Sequence, residues 1–312
     1  MRILVFGGLG FIGYHLVSRL LSSGHDVTII DNANDYGQFN KHILDQIYAD
    51  RYATIADARW IRSDLNGFDD EGMIRSHDMI VMLAGYPSAK LVDLNLSMAR
   101  SLMVDSLSAL CGMIGADTKI AFVSSSMVYG EWSADKIDEG HATLPIGNYG
   151  KLKLEGEELL RSNIDSNNLL IFRPSGVYGI SDIVGRVVKK MVVESLKGQT
   201  IKVHGMSTKL DLTHVGDVVD IMSKAIDSDA AGVFNASSGT ATTLLELAQK
   251  IRNISDSRSV IELVDHDQRY PQRGALSNDR AIQELNHVPR WSLDEGLRQC
   301  HAWIRDHVSL FS

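Results

Sequence analysis

The chain has 312 residues, 44% of them hydrophobic and 22% charged, a balance that supplies a sizeable core and excludes disordered and collagen-like classes. Its formal net charge of −8 lacks the basic excess of a phosphate-backbone binder, so no nucleic-acid partner is expected. Five prolines and no polar tracts leave little room for linkers, and length alone suggests about two domains.

From the N-terminus, β-branched and apolar runs at 2–6, 26–30, 58–62, 79–83, 119–124 and 169–173 read as strands, separated by helical patterns at 12–21, 98–114 and 150–161. Several strands are nearly all apolar rather than alternating, as expected where helices cover both faces of a parallel sheet. The fold class is therefore α/β, a doubly wound parallel sheet, reaching roughly Arg173. Beyond it the alternation loosens into helices near 183–196 and 216–226 and short strands near 201–203 and 232–235. Residues 174–312 are expected to form a smaller C-terminal region, with strands free to return to the first sheet.

Cys111 and Cys300 are far apart and have no CxxC company, which suggests a reducing compartment and neither a disulfide scaffold nor a zinc module. The apolar run at 3–6 is too short for a signal-peptide core, and no stretch approaches the roughly 18 apolar residues of a membrane span. A soluble, cytoplasmic chain with no membrane partner is expected. His301 and His307 lack carboxylate or thiol neighbours, so no metal is expected, and His204 and His214 read as residues that border the substrate pocket or simply pack, with packing preferred.

Between the first strand and the first helix the sequence reads Gly7-Gly8-Leu9-Gly10-Phe11-Ile12-Gly13, which satisfies GxGxxG. Glycines there permit a tight turn and close backbone approach to a pyrophosphate, and the helix N-terminus offers N–H donors. About 20 residues on, the second strand ends in Asp31, where a carboxylate accepts hydrogen bonds from an adenosine ribose. It would also repel a 2′-phosphate, and no Arg or Lys occurs before Lys41, so NAD is the expected cofactor. Asp64 and Leu65 follow the third strand, where they can meet the adenine, although Asp64 alone also suits a loop cap.

Tyr149 and Lys153 are four apart on a helical pattern and share a face, so the ammonium favours the phenolate and makes a general base usable near neutrality. Tyr86 and Lys90 repeat the spacing, but Pro87 pushes Tyr86 out of the helical region, leaving it a place near the cofactor. The strand at 119–124 runs into Ser124, Ser125 and Ser126, hydroxyls at the edge where open α/β sheets bind ligands.

These residues, with Leu83-Ala84-Gly85, Ser124 to Gly130, Tyr149 to Glu155, Val177-Tyr178-Gly179 and His214-Val215-Gly216-Asp217, resemble the extended short-chain dehydrogenase/reductase superfamily, in its NAD-dependent sugar epimerase/dehydratase branch. The opening is similar to that of UDP-galactose 4-epimerases. The resemblance implies a Rossmann-like NAD-binding domain over 1–173, a substrate-binding domain over 174–312 and a homodimer formed through helices near 96–114. It implies catalysis by Ser125, Tyr149 and Lys153, and a cofactor set of Gly7, Gly10, Phe11, Ile12, Gly13, Asp31, Asn32, Asp64, Leu65, Leu83, Ala84 and Gly85 with Tyr149 and Lys153. The substrate set is Tyr86, Ser125, Ser126, Gly176, Lys209, Arg269 and Arg273.

The implied reaction is epimerisation of a nucleotide sugar, at C4, through a keto-sugar and enzyme-bound NADH. Family dehydratases and decarboxylases carry an acidic residue just after the catalytic hydroxyl, where this chain has Ser126 and Met127; Glu131 is a weaker substitute. Gly176 stands where the family usually has Asn, Leu210 where it has Arg, and the family's helix-borne Asn has no clear match in 101–111. The alternatives are an NAD(H)-dependent keto-sugar reductase or dehydrogenase, a 4,6-dehydratase, and a dinucleotide-sensing regulatory protein.

Overall fold

The protein is described by a computed structural model covering residues 1–34, 41–132, 134–205, 207–265 and 273–311. Its frame is one parallel sheet. Strands β1 (Arg2–Phe6), β2 (Asp26–Ile30), β3 (Arg59–Ile61), β4 (Met79–Met82), β5 (Lys119–Val123), β6 (Leu169–Pro174) and β7 (Gly232–Ala236) lie in the order β3-β2-β1-β4-β5-β6-β7. Every neighbouring pair is parallel. The near-continuous apolar runs follow from the two covered faces: Ile3, Val5, Met79 and Val81 pack on one side, and Leu4, Phe6, Ile80 and Met82 on the other. Helices α1 (Phe11–Ser22), α2 (Lys41–Thr54) and the later Val215–Ile226 cover the first face, and α3 (Asn148–Asn163) with Ser106–Cys111 covers the second.

The predicted helix at 98–114 is broken: Leu96–Arg100 and Ser106–Cys111 flank a π-helical turn at Ser101–Asp105. Ala99, Met103 and Val104 are all buried against Tyr86 and Val92, and a widened turn lets these three positions face inward together. Downstream, the parallel pair Ile201–His204 and Ile261–Val264 and the three-stranded set Gly176–Tyr178, Lys209–His214 and Ala241–Thr243 carry their own apolar cluster with Val187–Leu196, Leu244–Ile254 and Leu293–Asp306. Between these elements the chain returns to the first sheet as β7. Among the described residues no helix is long and apolar enough to cross a membrane.

The carboxyl ends of β5, β6 and β7 are tied by a buried polar network. Glu157 on α3 is fully buried; its Oε1 accepts from Ser124 Oγ at 2.6 Å and Arg173 Nε at 2.9 Å, and its Oε2 accepts from Arg173 Nη2 at 2.6 Å. Arg173 also lies 4.7 Å from the centre of the Tyr129 ring, whose hydroxyl donates to Asn235 Oδ1 on β7 at 2.8 Å. Burial works to raise the Glu157 carboxyl, but the Arg173 and Ser124 contacts prevail and hold it below the usual carboxylate range. Because the folded-state pKa is depressed, its contribution to stability is present above the unfolded carboxylate pKa and is lost as pH falls through the folded value. Glu157→Gln strands the Arg173 guanidinium in the core and is expected to cost about 3–5 kcal/mol at pH 7. Denaturant unfolding at neutral and acidic pH checks this, with the difference between variant and parent narrowing on acidification.

Candidate active site

A cleft of about 990 Å3 runs along the carboxyl ends of the strands, where the chain order of the sheet reverses beside β1. Its first wall is the glycine loop. Gly7 has φ +84°, and a Cβ there would lie 2.7 Å from the Ala84 nitrogen, while a Cβ at Gly13 would lie 2.2 Å from the Gly7 carbonyl oxygen. Only side-chain-free residues let α1 start this close to β1 and β4. Gly10 caps α1 without any side-chain bond to its first turn, so those N–H groups suit the diphosphate of NAD.

Asp31 accepts from Leu9 N at 2.9 Å and Ala33 N at 2.8 Å; burial raises its pKa and the two amides oppose the rise. Asn32 Nδ2 donates to Asp64 Oδ2 at 2.7 Å, and Asp64 Oδ1 caps Asn66 N at 2.9 Å, so Asp64 closes a loop and lines the cleft at once. Leu65, Leu83, Ala84, Gly85, Phe11 and Ile12 complete this wall. All the residues that the sequence assigns to the cofactor therefore border one cavity.

Tyr149 and Lys153 occupy the first turns of α3, and Ser125 follows β5 by two residues. The Ser125 hydroxyl caps the short turn Ser126–Tyr129 through Met127 N at 3.1 Å and favours the ionised form of the Tyr149 phenol. Lys153 Nζ donates to the Val123 carbonyl at 2.7 Å and lies 6.0 Å from the centre of the Tyr149 ring. Burial pushes the Lys153 ammonium down to about 8, with Glu157 one turn away opposing the fall. Burial also raises the Tyr149 phenol, and the charge that pulls it back is that of Arg186, assisted by Ser125. Arg186, a cation outside the sequence motif, thus favours the ionised phenol.

Tyr86 is buried beside Met103 and lines the cleft, and the helix after it starts only at Ala89, behind the extended cap Ser88, so Tyr86 and Lys90 share no helix. Ser126 faces a side cavity of about 150 Å3 that also touches Trp132, Leu210 and Arg273. Gly176 lines the main cleft; a Cβ there would sit 3.0 Å from the Asp211 carbonyl oxygen on the neighbouring strand, so the family's Asn would require that strand to give by a few tenths of an ångström.

Lys209 is a correction to the expected substrate set. It is exposed and absent from the cleft lining, because successive strand residues alternate faces and Leu210 takes the inward one. Arg269 lies outside the described residues. Arg273 lines both cavities; its Nε is buried with no hydrogen-bond partner among the described residues, and burial lowers the guanidinium to about 10. Glu131 is exposed and lines neither cavity.

The two histidines separate: His214 stacks on Trp291 at 4.0 Å and caps Val215–Ile226, whereas His204 opens onto the cleft. Arg51, Arg186, Lys190 and Lys202 also line it. Nothing in their local sequence marks them, since each reaches the cleft through tertiary placement.

Residues 3–237 match the sequence profile of the NAD dependent epimerase/dehydratase family. UDP-glucuronic acid decarboxylase 1 of Arabidopsis thaliana is 25% identical over 327 residues, covering 99% of this chain and 71% of that protein. The dTDP-glucose 4,6-dehydratase of Actinoplanes sp. is 26% identical over 338 residues, covering 99% of each. The crystal structure of UDP-glucuronic acid 4-epimerase from Bacillus cereus in complex with UDP-glucuronic acid and NAD shares the fold at a TM-score of 0.89 and 23% identity, covering 98% of this chain and 100% of that one. With a glycine cradle that fits the cofactor and a profile spanning most of its length, the chain belongs to the NAD dependent epimerase/dehydratase family and is an NAD-dependent enzyme of that family.

Proposed function

We propose that the enzyme is a nucleotide-sugar epimerase acting at C4, with Ser125, Tyr149 and Lys153 as its working residues. The observation that carries this reading is that, among the described residues, no free acid lines the sugar end of the cleft. Among the described residues the carboxylates of the main cleft are Asp31 and Asp64, both at the adenosine end. Asp211 in the side cavity is committed: Oδ1 accepts from Ser238 N, Ser238 Oγ and Thr213 Oγ1, and Oδ2 accepts from Leu276 N. Ser126 and Met127 fill the positions after the catalytic hydroxyl, and methionine transfers no proton. Among the described residues elimination and decarboxylation have no acidic helper, whereas a reaction needing only one reversible proton transfer requires none.

NAD, when bound, supplies the hydride acceptor and donor. Ser125 holds the sugar hydroxyl by a hydrogen bond, Tyr149 takes its proton, and the buried Lys153 charge favours the phenolate and suits the nicotinamide ribose. Inversion would require the hydride to return to the opposite face of the C4 carbon, and Tyr149 would then give the proton back to the C4 oxygen. Arg273, with its unpartnered buried Nε, suits the diphosphate, and Lys190, Lys202 and His204 add positive or hydrogen-bonding character at the mouth. Exposed Leu94, Leu96 and Met98 support a homodimer through the helices that begin at Ala89 and Leu96.

Incubation with UDP-, GDP-, CDP- and dTDP-sugars in deuterated water, followed by NMR, tests the reaction class. Inversion at C4 without solvent deuterium on that carbon is expected; loss of water from the sugar or stoichiometric dependence on added NADH would refute the reading. Tyr149→Phe is expected to lower kcat by about 10²–10⁴ while keeping NAD affinity, measured by titration. Because the Lys153 ammonium is present below about 8 and lost above it, kcat/KM should fall on the alkaline side near that pH. Lys153→Arg, whose guanidinium stays charged, should remove that limb from the pH profile.

A further inference from the structure

Arg51 is a buried charge with no part in the reaction above. It lies on α2, 3% exposed, and its guanidinium bridges two distant segments. Nη1 donates to the Leu9 carbonyl inside the glycine loop at 2.7 Å, while Nε and Nη2 donate to the Ser181 hydroxyl at 3.0 Å and carbonyl at 2.6 Å. The rings of Tyr14 and Tyr48 lie 5.3 and 5.6 Å from it. Among the described residues no carboxylate lies within salt-bridge distance of it, and Asp182 and Asp31 act on it only as more distant charges; burial still lowers its pKa, so the cation gains from a counter-charge that a ligand brings.

Ser181 holds φ +62°, a left-handed conformation that a non-glycine residue adopts only when its surroundings enforce it. The Arg51 fork grips both its hydroxyl and its carbonyl. The next residue, Asp182, accepts from Arg186 Nη1 at 2.6 Å, and Arg186 Nη2 donates to the Pro87 carbonyl at 3.1 Å. The Arg186 guanidinium lies 5.5 Å from the centre of the Phe11 ring, on the first residue of α1, and borders the cleft together with Tyr149. A continuous path of contacts thus joins the glycine loop to the cation beside the phenol.

We propose that Arg51 is a positioning residue that couples cofactor binding to the 180–186 segment: its charge behind the glycine loop is balanced by the NAD diphosphate, and its fork on Ser181 sets Arg186 beside Tyr149. The diphosphate gains a fixed cation behind the amides that receive it, and the loop carbonyl at Leu9 stays turned away from the phosphates. A lysine at 51 keeps the charge but has no fork, because one ammonium cannot match the spread of Leu9 and Ser181 acceptors. The groups facing Tyr149 are Arg186, Lys153, the Ser125 hydroxyl and the packed Tyr86, so the phenol reports on Arg186 against a fixed background.

The test uses the full chain as R51K, R51Q and R186Q, read by NAD titration, by the rise in Tm that NAD produces, and by the pH dependence of kcat. R51Q is expected to weaken NAD at least tenfold and to shrink the NAD-induced rise in Tm. Both Arg51 variants should move the acid limb of kcat to higher pH, since the phenol loses the cation that favours its ionised form. R186Q should move that limb in the same direction with NAD affinity within twofold of the parent. R51K, the gentler change, decides the coupling if R51Q does not fold: an unmoved limb in R51K overturns it. Parent-like NAD affinity in a folded R51Q overturns the counter-charge role. The limb measurement rests on the epimerase reading, whereas NAD affinity and Tm do not, so failure of the reaction class leaves those two readouts to judge Arg51.

Discussion

The ion pair between Glu157 and Arg173 is the joint on which the site depends. It locks α3 against β6 at a point one turn beyond Lys153 and two beyond Tyr149, and through Ser124 it fixes the end of β5 one residue before Ser125. A buried pair of this kind gives little net stability compared with an apolar core, because both charges surrender their hydration. What it supplies is placement: full satisfaction of both groups permits only one relation between helix and strands. The same carboxylate opposes the fall in the Lys153 pKa, so the joint that sets the position of the ammonium also helps to keep it charged.

The chemistry of the cleft was legible wherever it was written in consecutive residues. Gly7 to Gly13, Asp31 and the Tyr149/Lys153 spacing depend on local backbone geometry, and the six strand readings agree with the observed strands to within a residue or so at each end. The rest of the cleft was less legible because its residues converge from separate elements. Arg51 and Arg186 belong to no motif, and they matter only because α2 and the 180–186 segment fold back on the glycine loop. At 209–210 the error was one of parity: the charge at Lys209 drew attention, but the strand turns Leu210 inward. The π-helical turn at Ser101–Asp105 was hidden for a similar reason, since the need to bury both Met103 and Val104 arises from neighbours distant in sequence.

The electrostatics of the cleft also qualify the meaning of an acidic chain. A net charge of −8 describes the exterior, yet Arg51, Lys153, Arg186 and Arg273 all border one cavity whose described carboxylates sit at its adenosine end. Long-range steering of an anionic ligand is therefore weak, and recognition falls to short-range contacts inside the desolvated site.

The return of β7 to the first sheet bears on how the polypeptide is made. Residues 232–236 supply the edge partner of β6, and Asn235 closes the polar network at Tyr129, so the sheet is incomplete until more than fifty residues of the intervening region have been synthesised. Until then the outer edge of β6 lacks its partner, and an open strand edge of this kind favours misassociation during folding. Residues 232–236 thus tie the later part of the chain into the sheet that carries the glycine loop, and each part needs the other to complete one core.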